Sequence, residues 1–361
     1  MSFLRREPLA ILLCFAPIAL ALESFAPERT TLVFFAAILA IVPLASFMGS
    51  ATEELAERLG GGIGGLLNAT FGNAAELIIA GLALHEGLPH LVKASLTGSI
   101  IGNVLLVFGA AAFAGGLKHP VQRFNQTAAA HGTTMLMLSV IGLVVPAVFH
   151  SLSKGEFATR ELRMDTAIAV VLFLTYCISM VFTLKTHRDL YGIAQHATDD
   201  HSAHGGSVRR PVLVLLGATV GIAVLSELLV GAVSETATNL GMSELFVGVV
   251  IIAVVGNAAE HYSAVTLAVR NDMDASISIA VGSSTQIALF VAPALVFLSY
   301  AIAPQPMDLL FTVFEVVAIG LAVISIALIS HDGETHWMEG IQLLAVYIIL
   351  GLGFYYLPAH I

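Results

Sequence analysis

Glu76 and Glu260 are the residues whose placement asks for chemistry. Each closes a Gly-Asn-Ala-Ala-Glu pentad, Gly72–Glu76 and Gly256–Glu260, and each pentad lies inside a long apolar run. A carboxylate near the centre of a bilayer costs about 2.5–3.5 kcal/mol on insertion scales, so an ionisable residue there marks a functional site. Two such carboxylates, joined by backbone, Asn and Gln oxygens, make a hard, all-oxygen site. Ligands of that kind suit Ca2+, which takes about six to eight oxygens at about 2.3–2.6 Å. Zinc and copper favour Cys or His, and no cluster of either falls within the apolar runs. Without a cation the pair cannot stay doubly charged in a low dielectric, and protons neutralise it instead. A site filled alternately by Ca2+ and by protons, and able to reorient when its charge is compensated, is the site expected of an antiporter.

The pentad offers further ligands. Gly and Glu four residues apart fall on one helix face, with Asn between them. Gly72 and Gly256 loosen the helix, and freed carbonyls serve as ligands where they line a cavity. Asn73 and Asn257 either join the ion's ligands or bond to those freed backbone groups. Ser99 and Asn103, one turn apart, and Ser283 and Gln286 form a supporting polar shell; close helix packing is the other reading of the serines. His261 follows Glu260 where Leu77 follows Glu76, so the two halves differ chemically. It reads as a proton carrier or as a buried, hydrogen-bonded histidine. Glu227 is the deepest remaining acid, on a proton path or paired structurally. Glu53, Glu54 and Glu235 sit at or near helix ends, as solvated residues or gates.

Such a site needs helices to hold it, and the composition supplies little else. Over 361 residues, 57% are apolar and 11% charged, and mean hydropathy is +0.91. Soluble domains carry about 25% charged residues, so the chain reads as an all-α integral membrane protein. At about 20 apolar residues per span there is room for about 11 transmembrane helices and for no separate soluble enzyme domain. The spans read as 8–25, 31–53, 63–85, 91–115, 127–149, 165–184, 211–233, 244–269, 275–300, 307–330 and 337–357. The first apolar run reads as an uncleaved helix rather than a signal peptide. Cys14 and Cys177 both lie in apolar segments, which argues against a structural disulfide.

A shift of 184 residues lays Gly72–Glu76 on Gly256–Glu260, Gly98-Ser99 on Gly282-Ser283 and Leu105 on Leu289; Gly49–Glu53 resembles Gly231–Glu235 at a slightly shorter offset. The chain therefore divides into an N-terminal helix (1–28), a five-helix repeat (29–184), a His-rich linker (185–210) and a second five-helix repeat (211–361). Repeats with an odd number of helices enter the membrane from opposite faces and form an inverted-topology pair, with the site at their interface. Lys and Arg divide ten to five between the two sides, which puts the N-terminus and linker in the cytoplasm and the C-terminus outside. The linker holds His187, His196, His201 and His204 with Asp199 and Asp200, as a cytoplasmic metal or pH sensor or as a solvated loop.

These residues resemble the calcium/proton exchangers of the cation/Ca2+ exchanger superfamily. The similarity covers nearly the whole chain after the first helix. It rests on the two pentads, the second continuing to His261, and on Gly-Ser-Ser-Thr-Gln-Ile-Ala-Leu-Phe from Gly282 to Phe290. Gln122–Asn125, Leu184–Tyr191, Asp332-Gly333 and Trp337–Gln342 add to it. The resemblance implies ten helices plus one, with Glu76 and Glu260 as shared Ca2+ and proton ligands, and with the second and seventh spans sliding to alternate access. The family's acidic linker helix has only a short, His-rich counterpart here. A prokaryotic plasma (inner) membrane is the expected location, with Ca2+, protons and lipid as partners, no nucleic acid, no cofactor, and no expectation for oligomeric state. A sodium-coupled exchanger using the same two glutamates is the alternative, and Gln286 in place of a carboxylate argues against it. An intramembrane hydrolase would need a motif such as His-Glu-x-x-His, which is absent. Paired deep carboxylates also bind too tightly for a fast channel.

Overall fold

The structure is a computed structural model that describes residues 8–59, 64, 67, 70–153, 157–187 and 208–357. The linker residues His196, His201, His204, Asp199 and Asp200 lie outside the described residues. In chain order the helices are α1 (Leu9–Phe25), α2 (Thr30–Leu59), α3 (Ala74–His85), α4 (Pro89–Gly116), α5 (Gln126–Ser153) and α6 (Ala158–Val181, continued by a π turn at Phe182–Thr186). After the linker come α7 (Arg209–Asn239), the halves α8a (Glu244–Gly256) and α8b (Ala258–Val269), α9 (Met273–Ile302), α10 (Val313–Ile329) and α11 (Trp337–Tyr356). Among the described residues seven helices are long and apolar enough to cross a membrane, or eight if the bent pair α8a–α8b is one span.

The pentads end helices rather than run through them. The spacing predicts one continuous face from Gly to Glu, but α8a stops at Gly256, α8b starts at Ala258, and the two halves are bent by 60°. In the first pentad Gly72 and Asn73 form a turn and α3 begins at Ala74. Gly costs about 1 kcal/mol in a helix interior and Asn is a poor helix former, so consecutive Gly-Asn is a weak point that tertiary contacts exploit. Both glutamates consequently sit in the first turn of a half-helix.

The two half-helices run to opposite ends of α4, which is 28 residues long and about 42 Å at 1.5 Å per residue. At one end His85, the last residue of α3, places Nδ1 3.2 Å from the Ile302 carbonyl oxygen. At the other, His119 reaches the Val269 carbonyl oxygen closing α8b, at 3.3 Å. The helices α2 and α7 pack antiparallel along this bundle. Leu44 of α2 fills the space beside Gly221 of α7, and Asn239 Nδ2 donates to Thr31 Oγ1 at 3.4 Å.

Side-chain caps fix the other ends. Asp272 accepts from the Ala275 amide to start α9, after Asn271 turns the chain at φ 66°. Thr312 and Glu315 form a capping box that starts α10, six residues later than the apolar pattern predicts. The delay has a cause in the strap that joins α9 to α10. Lys93 Nζ donates to Asp308 Oδ1 (2.9 Å) and to the Leu310 carbonyl (2.7 Å), and Asp165 Oδ2 accepts the Leu309 amide (3.1 Å). At the opposite end a two-residue ladder, β1 (Gln122–Arg123) against β2 (Glu334–Thr335), ties the loop before α5 to the loop before α11.

Candidate functional site

A cavity of about 300 Å3 lies beside the two broken helices and contains both glutamates. Its inner wall is Gly72, Ala75 and Glu76 from the first break, with Gly256, Ala259 and Glu260 from the second. Residues of α2 (Ala45, Ser46, Met48, Gly49, Ser50, Glu53) form one flank, and Ser278, Ile279, Gly282, Ser283 and Gln286 of α9 form the other. From the carboxylates the cavity passes Ser263 of α8b and Ser278 near the start of α9. It therefore opens toward the end that carries Lys118, Arg123 and Arg270. The exposed residues at its mouth are Ser50, Glu53, Ser263 and Ser278.

The two carboxylates are held differently. Glu260 Oε1 accepts the Ser283 hydroxyl at 2.7 Å, while Oε2 is buried with no hydrogen-bond partner. Glu76 is 8% exposed and lies on the backbone of the other break, where a methyl at Gly256 would stand 3.3 Å from its Oε1. Glycine at 256 thus lets one pentad's backbone approach the other pentad's carboxylate. Each glutamate also faces a helix N-terminus. That dipole is worth about 0.3–1 kcal/mol, less than the cost of about 2.5–3.5 kcal/mol for a charge at the bilayer centre. A counter-charge must supply the difference, and the unpartnered Glu260 Oε2 is where a cation or a proton would bind.

Behind the carboxylates the asparagines stitch the halves together. Asn257 Nδ2 donates to Ser99 Oγ at 2.9 Å and to the Ala253 carbonyl at 2.8 Å, and Asn257 Oδ1 accepts Asn103 Nδ2 at 3.2 Å. Asn257 therefore adds a side-chain bond to the Ala253 carbonyl that its own backbone amide already reaches at 3.2 Å, and has its own oxygen occupied. Asn73 is arranged otherwise. Its Nδ2 donates to Gln286 Oε1, and its Oδ1 is buried without a partner. Every one of these side-chain pairs joins a residue before the linker to one after it, so the network exists only when the halves meet.

The structure brings Gly72, Glu76, Gly256, Glu260, Ser283, Gln286 and Glu53 to the cavity, and puts Asn73, Asn257, Ser99 and Asn103 directly behind it. It does not bring the rest. His261 is partly buried on the neighbouring face of α8b and does not line the cavity; Glu227 and Glu235 are exposed on α7; Glu54 is bonded to Arg58. The serine wall of Ser46, Ser50, Ser263 and Ser278 was missed by sequence reasoning, because serine in an apolar helix carries no signal of which way it faces. Among the described residues no group of three His, Cys, Asp or Glu is placed to hold a metal ion. Any cation here would rely on two carboxylates and neutral oxygens, which is the ligand set of a hard ion.

Comparison with known proteins adds the chain's kinship. The sodium/calcium exchanger protein family matches residues 29–185 and 210–356. A Ca(2+)/H(+) antiporter of Synechocystis sp. is 46% identical over 96% of this chain and 97% of its own length. The Ca(2+)/H(+) antiporter ChaA of Bacillus subtilis is also 46% identical, over 88% of this chain and 90% of its own. The solved structure of native YfkE superposes with a TM-score of 0.83 at 42% identity, covering 97% of this chain and all of that one.

Proposed function

This chain belongs to the sodium/calcium exchanger protein family, and from that premise we propose that it is a secondary active antiporter exchanging Ca2+ for protons, and not an enzyme. The observation that carries the proposal is the convergence of Glu76 and Glu260 on one cavity open at one end, in a chain 46% identical to antiporters of that name. Ca2+ binds between the two carboxylates, helped by neutral oxygens of the cavity wall. Protons replace it on the same oxygens, so that the site is charge-compensated in both loaded states. Compensation is what allows the loaded site to be enclosed, because an enclosed pair of bare carboxylates would bear the full desolvation cost.

In this reading the chain has eleven spans, an N-terminal helix followed by two inverted five-helix repeats, and Glu76 and Glu260 are repeat mates. The Lys and Arg bias puts the cavity mouth in the cytoplasm of a prokaryotic cell, with the C-terminus outside. The conformation is then inward-open. Glu53 stands at the mouth as the outermost carboxylate, and Ser283 and Gln286 orient the ligands rather than carry charge. His261, off the cavity wall, is not needed to bind the ion.

The test is Ca2+ uptake into proteoliposomes under an imposed pH gradient, acid inside. Uptake driven by pH alone, and lost in both Glu76→Gln and Glu260→Gln, is the expected result. Uptake that requires a Na+ gradient would move the assignment to a sodium-coupled exchanger. Retained uptake in Glu76→Gln would remove the site.

A further inference from the structure

Between α5 and α6, away from the ion cavity, lies a second hollow of about 290 Å3, lined only by apolar residues. Small residues give it room. Gly142 of α5 has no side chain, and Leu172 of α6 lies over it, 3.0 Å from where a methyl would stand; Ala167 is the smallest residue on the α6 side. Ile141 and Val171, which also line it, are 54% and 57% exposed. An apolar helix face is ordinary where a chain meets lipid tails. A hollow in that face is not, because its lining forfeits packing contacts unless something fills it. The floor matters to the rest of the bundle. Leu172 packs with Tyr176 and Leu289, and Leu289 lies in the π turn of α9 at Ile287–Val291, directly after Gln286 of the ion cavity.

Toward its N-terminus the same face of α6 becomes charged. Arg160 and Arg163 stand four residues before Met164 and Ala167 of the hollow, one turn further out, and both are exposed. The Arg160 guanidinium lies 5.0 Å from the centre of the Phe157 ring, which holds it near the helix start. Glu161, between the arginines in sequence, is engaged by His150 Nδ1 at 2.9 Å and by the Ser153 hydroxyl, both of α5. The span Thr159–Thr186 is 28 residues long, about 42 Å against about 30 Å of hydrocarbon, so its first turn belongs to the headgroup layer. We propose that this groove binds one anionic phospholipid, with an acyl chain in the hollow and the phosphate on Arg160 and Arg163. Ligand and groove match in kind and in order: apolar at depth, charged one turn above. The planar fork of arginine suits phosphate oxygens. A second copy of the chain would have to bring carboxylates to that level, where a lipid carries its anion already. The site is separate from the two glutamates, so it stands or falls apart from the exchanger reading.

The test is native mass spectrometry of the purified protein in neutral detergent, with phosphatidylglycerol and phosphatidylcholine of the same acyl chains as probes. One phosphatidylglycerol per chain should be retained at least about tenfold more tightly than phosphatidylcholine, as expected when charge-assisted hydrogen bonds to phosphate are made in only one case. Its binding should also raise the unfolding midpoint. Arg160→Gln combined with Arg163→Gln brings phosphatidylglycerol down to the level of phosphatidylcholine. Ala167→Phe fills the hollow and lowers retention of both lipids, while Lys185→Gln, at the other end of α6, changes neither. Glycerol phosphate, which has the anion and no chain, does not compete. The arginine variant leaves the hollow untouched and keeps the test decisive should Ala167→Phe fail to fold. Equal retention of the two lipids by the wild type, or a preference that survives the arginine variant, would overturn the proposal. So would competition by glycerol phosphate at matched concentration, which would leave a phosphate site alone, or a dimer of the chain that Ala167→Phe disperses, which would give the groove to a second copy.

Discussion

At the residue scale the site is an unequal pair of equal residues. Glu260 has one oxygen bonded to Ser283 and one left without a partner, while Glu76 is packed on Gly256. Ser283→Ala removes a hydrogen bond to a carboxylate, worth about 1.5–3 kcal/mol while Glu260 is ionised. It should lower Ca2+ affinity by about ten- to a hundredfold and leave exchange measurable at raised Ca2+, which titration of purified protein would check. Asn257→Ala is a different kind of change. It unpairs Ser99 and Asn103, both buried behind the site, and should cost about 1–3 kcal/mol of stability per orphaned group. A thermal unfolding midpoint in detergent close to wild type would contradict the network. Sequence alone pointed to the glutamates because carboxylates in apolar runs are costly, and repetition in register doubled the signal. The partners of the asparagines were not legible. They lie more than 150 residues away, and an amide carries no mark of the group it will bond.

At the element scale the pentads act as helix breaks. The period of apolar residues continues through both, which is why continuous spans were expected; propensity at Gly-Asn is a weak local signal, and the contacts that bend the chain there are tertiary. The break is what gives each glutamate a helix N-terminus and brings Gly256 within reach of Glu76. A methyl at Gly256 would press on the Glu76 carboxylate from 3.3 Å, so Gly256→Ala should displace the ligand by a few tenths of an ångström. Loss of Ca2+ affinity by about tenfold, as for other changes that disturb a ligand's support, is the expected outcome with the fold retained. Unchanged affinity would mean that Glu76 does not depend on this approach. The π turns had no counterpart in the sequence pattern, since a single extra residue per turn does not disturb an apolar run long enough to be buried on every side.

At the scale of the whole molecule, the 184-residue offset between the pentads was legible in the sequence, and the side-chain pairs that join residues before the linker to residues after it were not. The strap between α9 and α10 shows what else ties distant parts together. It is bolted to α4 by Lys93 and to α6 by Asp165, far from the carboxylates. Lys93→Met should lower the unfolding midpoint by the loss of a buried charged hydrogen-bond pair, about 1.5–3 kcal/mol, with exchange per folded molecule unchanged; a change in ion affinity would link the strap to the site. The central claim is that one pair of carboxylates serves both ions, and it fixes the sign of the pH dependence. Protons compete for the Ca2+ ligands, so Ca2+ binding weakens on acidification and strengthens as pH rises. The most direct measurement is the number of protons released when Ca2+ is added to purified protein in weakly buffered solution, at an acidity where the site is protonated. The account predicts release of up to two protons per Ca2+ bound, and loss of that coupled release in Glu76→Gln and Glu260→Gln. Tight Ca2+ binding by the wild type with no proton release at any pH would contradict it.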